Sequence, residues 1–165
     1  MGEMIKIGST AEDGFEIPAY HAAQAGARKG GVIVIQEIFG IDVHVKRDVD
    51  RWASLGFEAV APGLYERREP GFIAHHDEAG IKAGVAHAMA SPREQVLADI
   101  AGCRDFLAPR GKVMIVGYCY GGSFTWLAYG ALAGAAQQLR TGAGPYPFWE
   151  LVQAGRQLVT EAFTD

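Results

Sequence analysis

The residues with the most chemical promise are Gly117-Tyr118-Cys119-Tyr120-Gly121-Gly122, which follow the apolar run Val113-Met114-Ile115-Val116 and precede the apolar stretch Phe124 to Ala128. This order reads as strand, tight turn, helix. It fits the Gly-x-nucleophile-x-Gly pattern, in which flanking glycines let a strained turn hold its central side chain at the carboxyl edge of a sheet. Cys119 takes the nucleophile's place. At a helix N-terminus the unpaired amides and the dipole favour a thiolate, so the turn is expected to lower the Cys119 pKa and to make the Tyr120 N–H an oxyanion donor. The competing reading is a small buried cysteine packed where a helix crosses a strand. Gly117, Gly121 and Gly122 do not match the Gly-x-Gly-x-x-Gly spacing of a dinucleotide loop, and no cofactor is expected. Cys103 lies on a helical stripe with Val96 and Leu107 and is expected in the core. The run His75-His76-Asp77-Glu78 reads as a solvated loop or N-cap, because adjacent helical residues point about 100° apart and no i, i+4 histidine pair follows; no metal is expected.

A nucleophile turn needs a sheet beneath it. Met4 to Gly8 and Phe15 to Tyr20 alternate apolar and polar positions around Glu12-Asp13-Gly14, which predicts an opening antiparallel hairpin. Gly31 to Ile35, Glu58 to Ala61 and Lys112 to Gly117 are short continuous apolar runs, as strands buried on both faces of a parallel sheet require. Val43, Val45, Val49, Trp52 and Leu55 fall near helical spacing before a stop at Gly56. Ser91-Pro92-Arg93-Glu94 predicts a second helix to about Ala108, with Ser91 as N-cap and Pro92 at N1. The order predicts one α/β domain over 1–165, mostly parallel, with helices on both faces. Apolar residues at 49% and charged residues at 21% suit a soluble globular chain. With 15 basic residues against 19 acidic and a net charge of −4, a nucleic-acid partner is not expected. No apolar run reaches the roughly 18 residues of a membrane span, and the N-terminus has no apolar signal region, so a cytoplasmic address is expected.

Gln36-Glu37-Ile38-Phe39-Gly40 follows the Gly31 to Ile35 strand run at the edge where open α/β sheets place ligands. Together with Pro62-Gly63-Leu64-Tyr65 and Gly117 to Gly122, it resembles the dienelactone hydrolase (carboxymethylenebutenolidase) family of α/β-hydrolases, from about Phe15 to about Leu127. The resemblance implies a truncated α/β-hydrolase-type sheet and opening of a small-molecule ester or enol-lactone through a cysteine nucleophile. Carried over, the nucleophile is Cys119, and Glu37 contacts it and helps control its activation. The implied oxyanion donors are the backbone N–H groups of Ile38 and Tyr120. Phe39, Tyr65 and Arg67 fall where the family binds substrate.

The family brings its triad in the order nucleophile, acid, histidine. Here His21, His44, His75, His76 and His87 all precede Cys119, and the acidic residues after it are Glu150, Glu161 and Asp165. The family-like pattern runs to about residue 128, and 129–165 reads as a divergent helical tail, with Phe148, Leu151, Val152, Leu158, Val159 and Phe163 at helical spacing. An impaired hydrolase that deacylates slowly is therefore expected. The alternative is a catalytically silent α/β-hydrolase fragment that self-associates through an open sheet edge.

Overall fold

A computed structural model describes the backbone of residues 1–141 and the side chains of residues 1–130. The hairpin forms from β1 (Glu3–Gly8) and β2 (Glu16–Ala22), in a register that sets Ile5 opposite Ala19 and Ile7 opposite Ile17. Its inner strand pairs antiparallel with β4 (Phe57–Pro62). Two parallel pairings complete the sheet, with β3 (Gly30–Ile35) lying between β4 and β5 (Val113–Gly117). The strand order is β1-β2-β4-β3-β5, the expected mixed sheet with its antiparallel part at one edge. Every residue of β3 is buried, as a strand covered on both faces must be.

The covering helices explain that burial. Helix α1 (Val43–Ser54) packs Val45, Val49 and Ala53 onto Val32, Val34, Ala59 and Ala61. Residues of opposite parity face α3 (Arg93–Leu107), where Gly31 lies against the Leu107 side chain. Asp42 caps α1, its Oδ1 accepting the N–H groups of His44 and Val45 at 2.9 Å each. At α3 the expected cap shifts by one residue. Pro92 is the N-cap, and Ser91 instead turns its hydroxyl back onto the His87 carbonyl at 2.9 Å, closing the preceding helix.

That preceding helix, α2 (Glu78–Ala90), has no counterpart in the sequence-based expectation beyond an N-cap in the 75–78 run, which Asp77 supplies by accepting the Gly80 N–H at 2.7 Å. Its buried residues are Gly80 and Gly84, while Ile81, Val85 and Met89 are exposed. A glycine face packs a helix on backbone and leaves no apolar stripe to read. The fourth helix, α4 (Tyr120–Thr141), follows the nucleophile turn. No helix among the described residues is long and apolar enough to cross a membrane. The chain divides into two compact units, Met1–Trp126 and Leu127–Asp165, and the helix expected over 148–163 lies outside the described residues.

Candidate active site

The turn between β5 and α4 has the strain its sequence implies. Cys119 has φ +53°, and among the described residues it is the non-glycine residue with positive φ. Its side chain is exposed, whereas Cys103 is fully buried in α3. Burial, followed by the neighbouring Asp99 carboxylate, pushes the Cys103 thiol pKa well up, so the two cysteines occupy opposite environments. Backbone proximity requires the glycines. A Cβ at Gly121 would stand 2.5 Å from the Ile35 carbonyl oxygen and 2.7 Å from that of Gln36. The first turn of α4 therefore packs directly on the end of β3, one residue short of Glu37, and any side chain at 121 would force them apart.

Gln36 fixes the other side of this junction. It is fully buried, its Oε1 accepts the Leu64 N–H at 3.1 Å, and its Nε2 donates to the Glu37 carbonyl at 3.3 Å. One side chain thus ties the end of β3 to the Pro62–Tyr65 segment. Ile38 and Phe39 form a turn, and α2 supports it from behind, because Gly84 packs against the Ile38 carbonyl. Beneath the nucleophile turn lies an aromatic layer. Tyr65 is 2% exposed and meets Tyr120 at 5.7 Å between ring centroids, His87 at 5.3 Å and Phe72 at 5.6 Å. Burial pushes the Tyr120 hydroxyl pKa up to about 12. The Tyr65 pKa is raised further, by burial first and then by Tyr120 and Cys119.

Comparison with known proteins gives this arrangement its relatives. The profile of the dienelactone hydrolase family matches residues 17–154, past the point near 128 where the recognisable motifs end. The chain belongs to the dienelactone hydrolase family. It is 37% identical over 126 residues to a protein of Escherichia coli (strain K12) named putative carboxymethylenebutenolidase, covering 72% of this chain and 45% of that protein. It is 30% identical over 128 residues to the carboxymethylenebutenolidase of Pseudomonas putida, covering 70% and 54%. The crystal structure of a putative dienelactone hydrolase from Klebsiella pneumoniae superposes with a TM-score of 0.61 at 34% identity, covering 79% of this chain and 55% of that one. The chain spans about half the length of the curated relatives it matches.

Within this dienelactone hydrolase fold the expected site residues separate into two groups. Cys119 and Tyr120 sit at the junction of β3 with α4, where the Tyr65 ring meets that of Tyr120, while Glu37 and Ile38 follow the end of β3 in the chain. The Glu37 carboxylate is half-buried and makes no hydrogen bond or ion pair among the described residues. Phe39 faces away toward the start of α1, stacked on His76 at 3.9 Å between centroids. Arg67, expected at the substrate, has its guanidinium committed elsewhere. Its Nε and Nη2 donate to Asp99 at 3.1 and 2.8 Å, Nη1 pairs with Asp13, and the group lies over the Phe15 ring at 4.0 Å. A planar fork so fully engaged with a carboxylate that is 1% exposed serves the fold, joining the Tyr65–Arg68 turn to α3. Gln36 is the residue that sequence reasoning missed, and its signal was present: an amide directly after five apolar strand residues must be buried, and a buried amide needs partners.

Proposed function

We propose that this chain acylates itself at Cys119 when it meets an ester or enol-lactone. The thiolate attacks the carbonyl carbon, the C–O bond to the leaving oxygen breaks, and that oxygen takes up a proton to become an alcohol or enol, which leaves from an ester and stays tethered to the acyl group from a lactone. Glu37 exchanges the thiol proton, and the N–H groups of Ile38 and Tyr120 hold the oxyanion of the tetrahedral intermediate. Water then hydrolyses the thioester, giving the carboxylic acid and restoring the thiol. The observation that carries this reading is the +53° φ of an exposed cysteine at the start of α4, since strain of this kind is retained where a side chain must be presented. The free amides of the first helical turn support it.

Deacylation is the slow step in this reading, because no histidine follows Cys119 in the 165 residues. With an activated aryl ester, the purified chain is expected to release a burst of about one equivalent of phenol and then to turn over very slowly. Cys119→Ser abolishes the burst. Absence of a burst from the unaltered chain removes Cys119 as nucleophile, and sustained rapid turnover removes the slow deacylation while leaving the nucleophile standing.

A second reading, self-association without catalysis, has one observation in its favour. Among the described residues β5 pairs on one side only, and its residues are half-buried or exposed where those of β3 are all buried. An apolar edge of this kind favours pairing with another chain. Light scattering that gives a dimer together with no burst would select this reading over the first.

A further inference from the structure

We propose that Asp42, His44 and His76 form a binding site for a divalent transition-metal ion of the Zn2+ class. One ligand atom from each of the three residues lies within 4.8 Å of the other two. The donor set is two imidazoles and one carboxylate, which is a combination suited to Zn2+ and its neighbours and unsuited to Ca2+ or Mg2+. Three protein ligands leave a fourth position for water, as in an open zinc site.

The site is built more firmly than a chance surface cluster. Asp42 is buried, and its Oδ1 is held by the N–H groups of His44 and Val45, so the carboxylate is oriented by the same bonds that cap α1. Its Oδ2 is left to face His76, whose Nε2 lies at 2.7 Å. Two ligands on a tetrahedral zinc stand about 3.3 Å apart, from bond lengths near 2.0–2.1 Å. The pair therefore needs to open by about 0.6 Å to admit the ion. His44 closes the third side from the first turn of α1, its ring centroid 5.0 Å from that of His76, and both imidazoles are exposed. The other face of His76 is stacked on Phe39, which fixes the plane of the ring. The loop that carries His76 is anchored as well, since the Ala74 N–H donates to the Phe39 carbonyl at 3.0 Å and Ile73 bridges to Gly40. Residues 34 positions apart in the sequence are thus brought to one point by backbone pairing that does not depend on the ion.

The site shares no residue with the Cys119 turn, and the test keeps the two apart. Zn2+ is titrated calorimetrically into the full, untagged chain at neutral pH, and Co2+ into a second sample to read its visible absorption. One equivalent is expected to bind, with Co2+ bands of four-coordinate intensity. His44→Ala and His76→Ala should each weaken binding at least tenfold, the effect of losing a ligand being no smaller than the 10- to 100-fold loss on removing an outer-shell partner. Asp42→Asn should do the same while keeping the α1 cap, because the amide oxygen still accepts the two N–H groups. Cys119→Ala and His75→Ala should bind as the unaltered chain does. No binding by the unaltered chain overturns the proposal, as does binding that survives His44→Ala, a substitution at an exposed side chain that leaves the fold intact.

Discussion

The two ends of the parallel strands treat buried polar groups in opposite ways. At the amino end, Glu58 of β4 is 1% exposed and fully paired. His21 Nε2 lies at 3.0 Å, Arg28 Nε at 2.9 Å and Arg110 Nη1 at 2.7 Å from its carboxylate oxygens. Arg28 also donates to the Leu107 carbonyl at 3.1 Å, so the cluster joins the hairpin, β4 and the end of α3. At the carboxyl end, the buried hydroxyls of Tyr65 and Tyr120 and the Nδ1 of His87 have no hydrogen-bond partner among the described residues, and Cys119 holds a strained backbone. Complete pairing marks a group that serves the fold. Polar atoms left open beside an exposed cysteine are groups that a ligand could complete.

The largest effect should come from breaking the paired end. Glu58→Gln leaves the Arg28 and Arg110 guanidinium groups and the His21 imidazole around a neutral amide, and removing the charge of one member of a buried ion cluster costs about 3 kcal/mol. An unfolding free energy from urea titration that falls by that amount, with the aryl ester burst of the still-folded protein unchanged, would separate the two ends cleanly. A small loss of stability together with a lost burst would show that they act as one.

Acid should act through the same residue. Burial alone would raise the Glu58 pKa, but hydrogen bonds from His21 and Arg28 and the charge of Arg110 outweigh it, so the folded carboxyl titrates below its ordinary 4.5. A depressed folded-state value means that the unfolded chain binds the proton first as pH falls. The stabilisation is therefore complete above 4.5 and is lost as pH drops through the folded value. Stability measured from neutral pH downward should fall less steeply in Glu58→Gln than in the unaltered chain.

This contrast also accounts for what the sequence made legible. The five strands, α1, α3 and the strained turn at Cys119 follow from apolar periodicity and glycine spacing, which are local signals. Helix α2 was hidden because its packing face is Gly80 and Gly84, and small residues leave no hydrophobic pattern. The Glu58 cluster and the Asp42–His76 pair were hidden for a different reason. Each partner lies 30 or more positions from the carboxylate it meets, and only the tertiary fold brings them together. Arg67 shows the same limit from the other side, since its partners Asp13 and Asp99 are distant in sequence and nothing nearby announces them.

A smaller effect, of opposite sign, is expected at the strained end. A non-glycine residue at φ +53° costs about 1 kcal/mol, which glycine does not incur. Cys119→Gly should raise the unfolding free energy by about that amount while removing the burst. A variant that is less stable than the unaltered chain would mean that the Cys119 side chain makes packing contacts that outweigh the strain, and the turn would then be structural.

The smallest effect belongs to Tyr65. Its hydroxyl is buried beside the Gln36 side chain without a hydrogen bond of good geometry, because the Gln36 amide is already engaged with Leu64 and Glu37. Removing an unsatisfied buried polar atom leaves stability nearly unchanged or raises it by up to about 1 kcal/mol. Tyr65→Phe keeps the ring contacts with Tyr120, His87 and Phe72, so a change in behaviour reports on the hydroxyl alone. Unchanged or improved stability with a several-fold slower burst would place that hydroxyl on the bound ester. A loss of more than about 1 kcal/mol would instead give it a structural partner, and the carboxyl end would then resemble the amino end in having its buried groups paired.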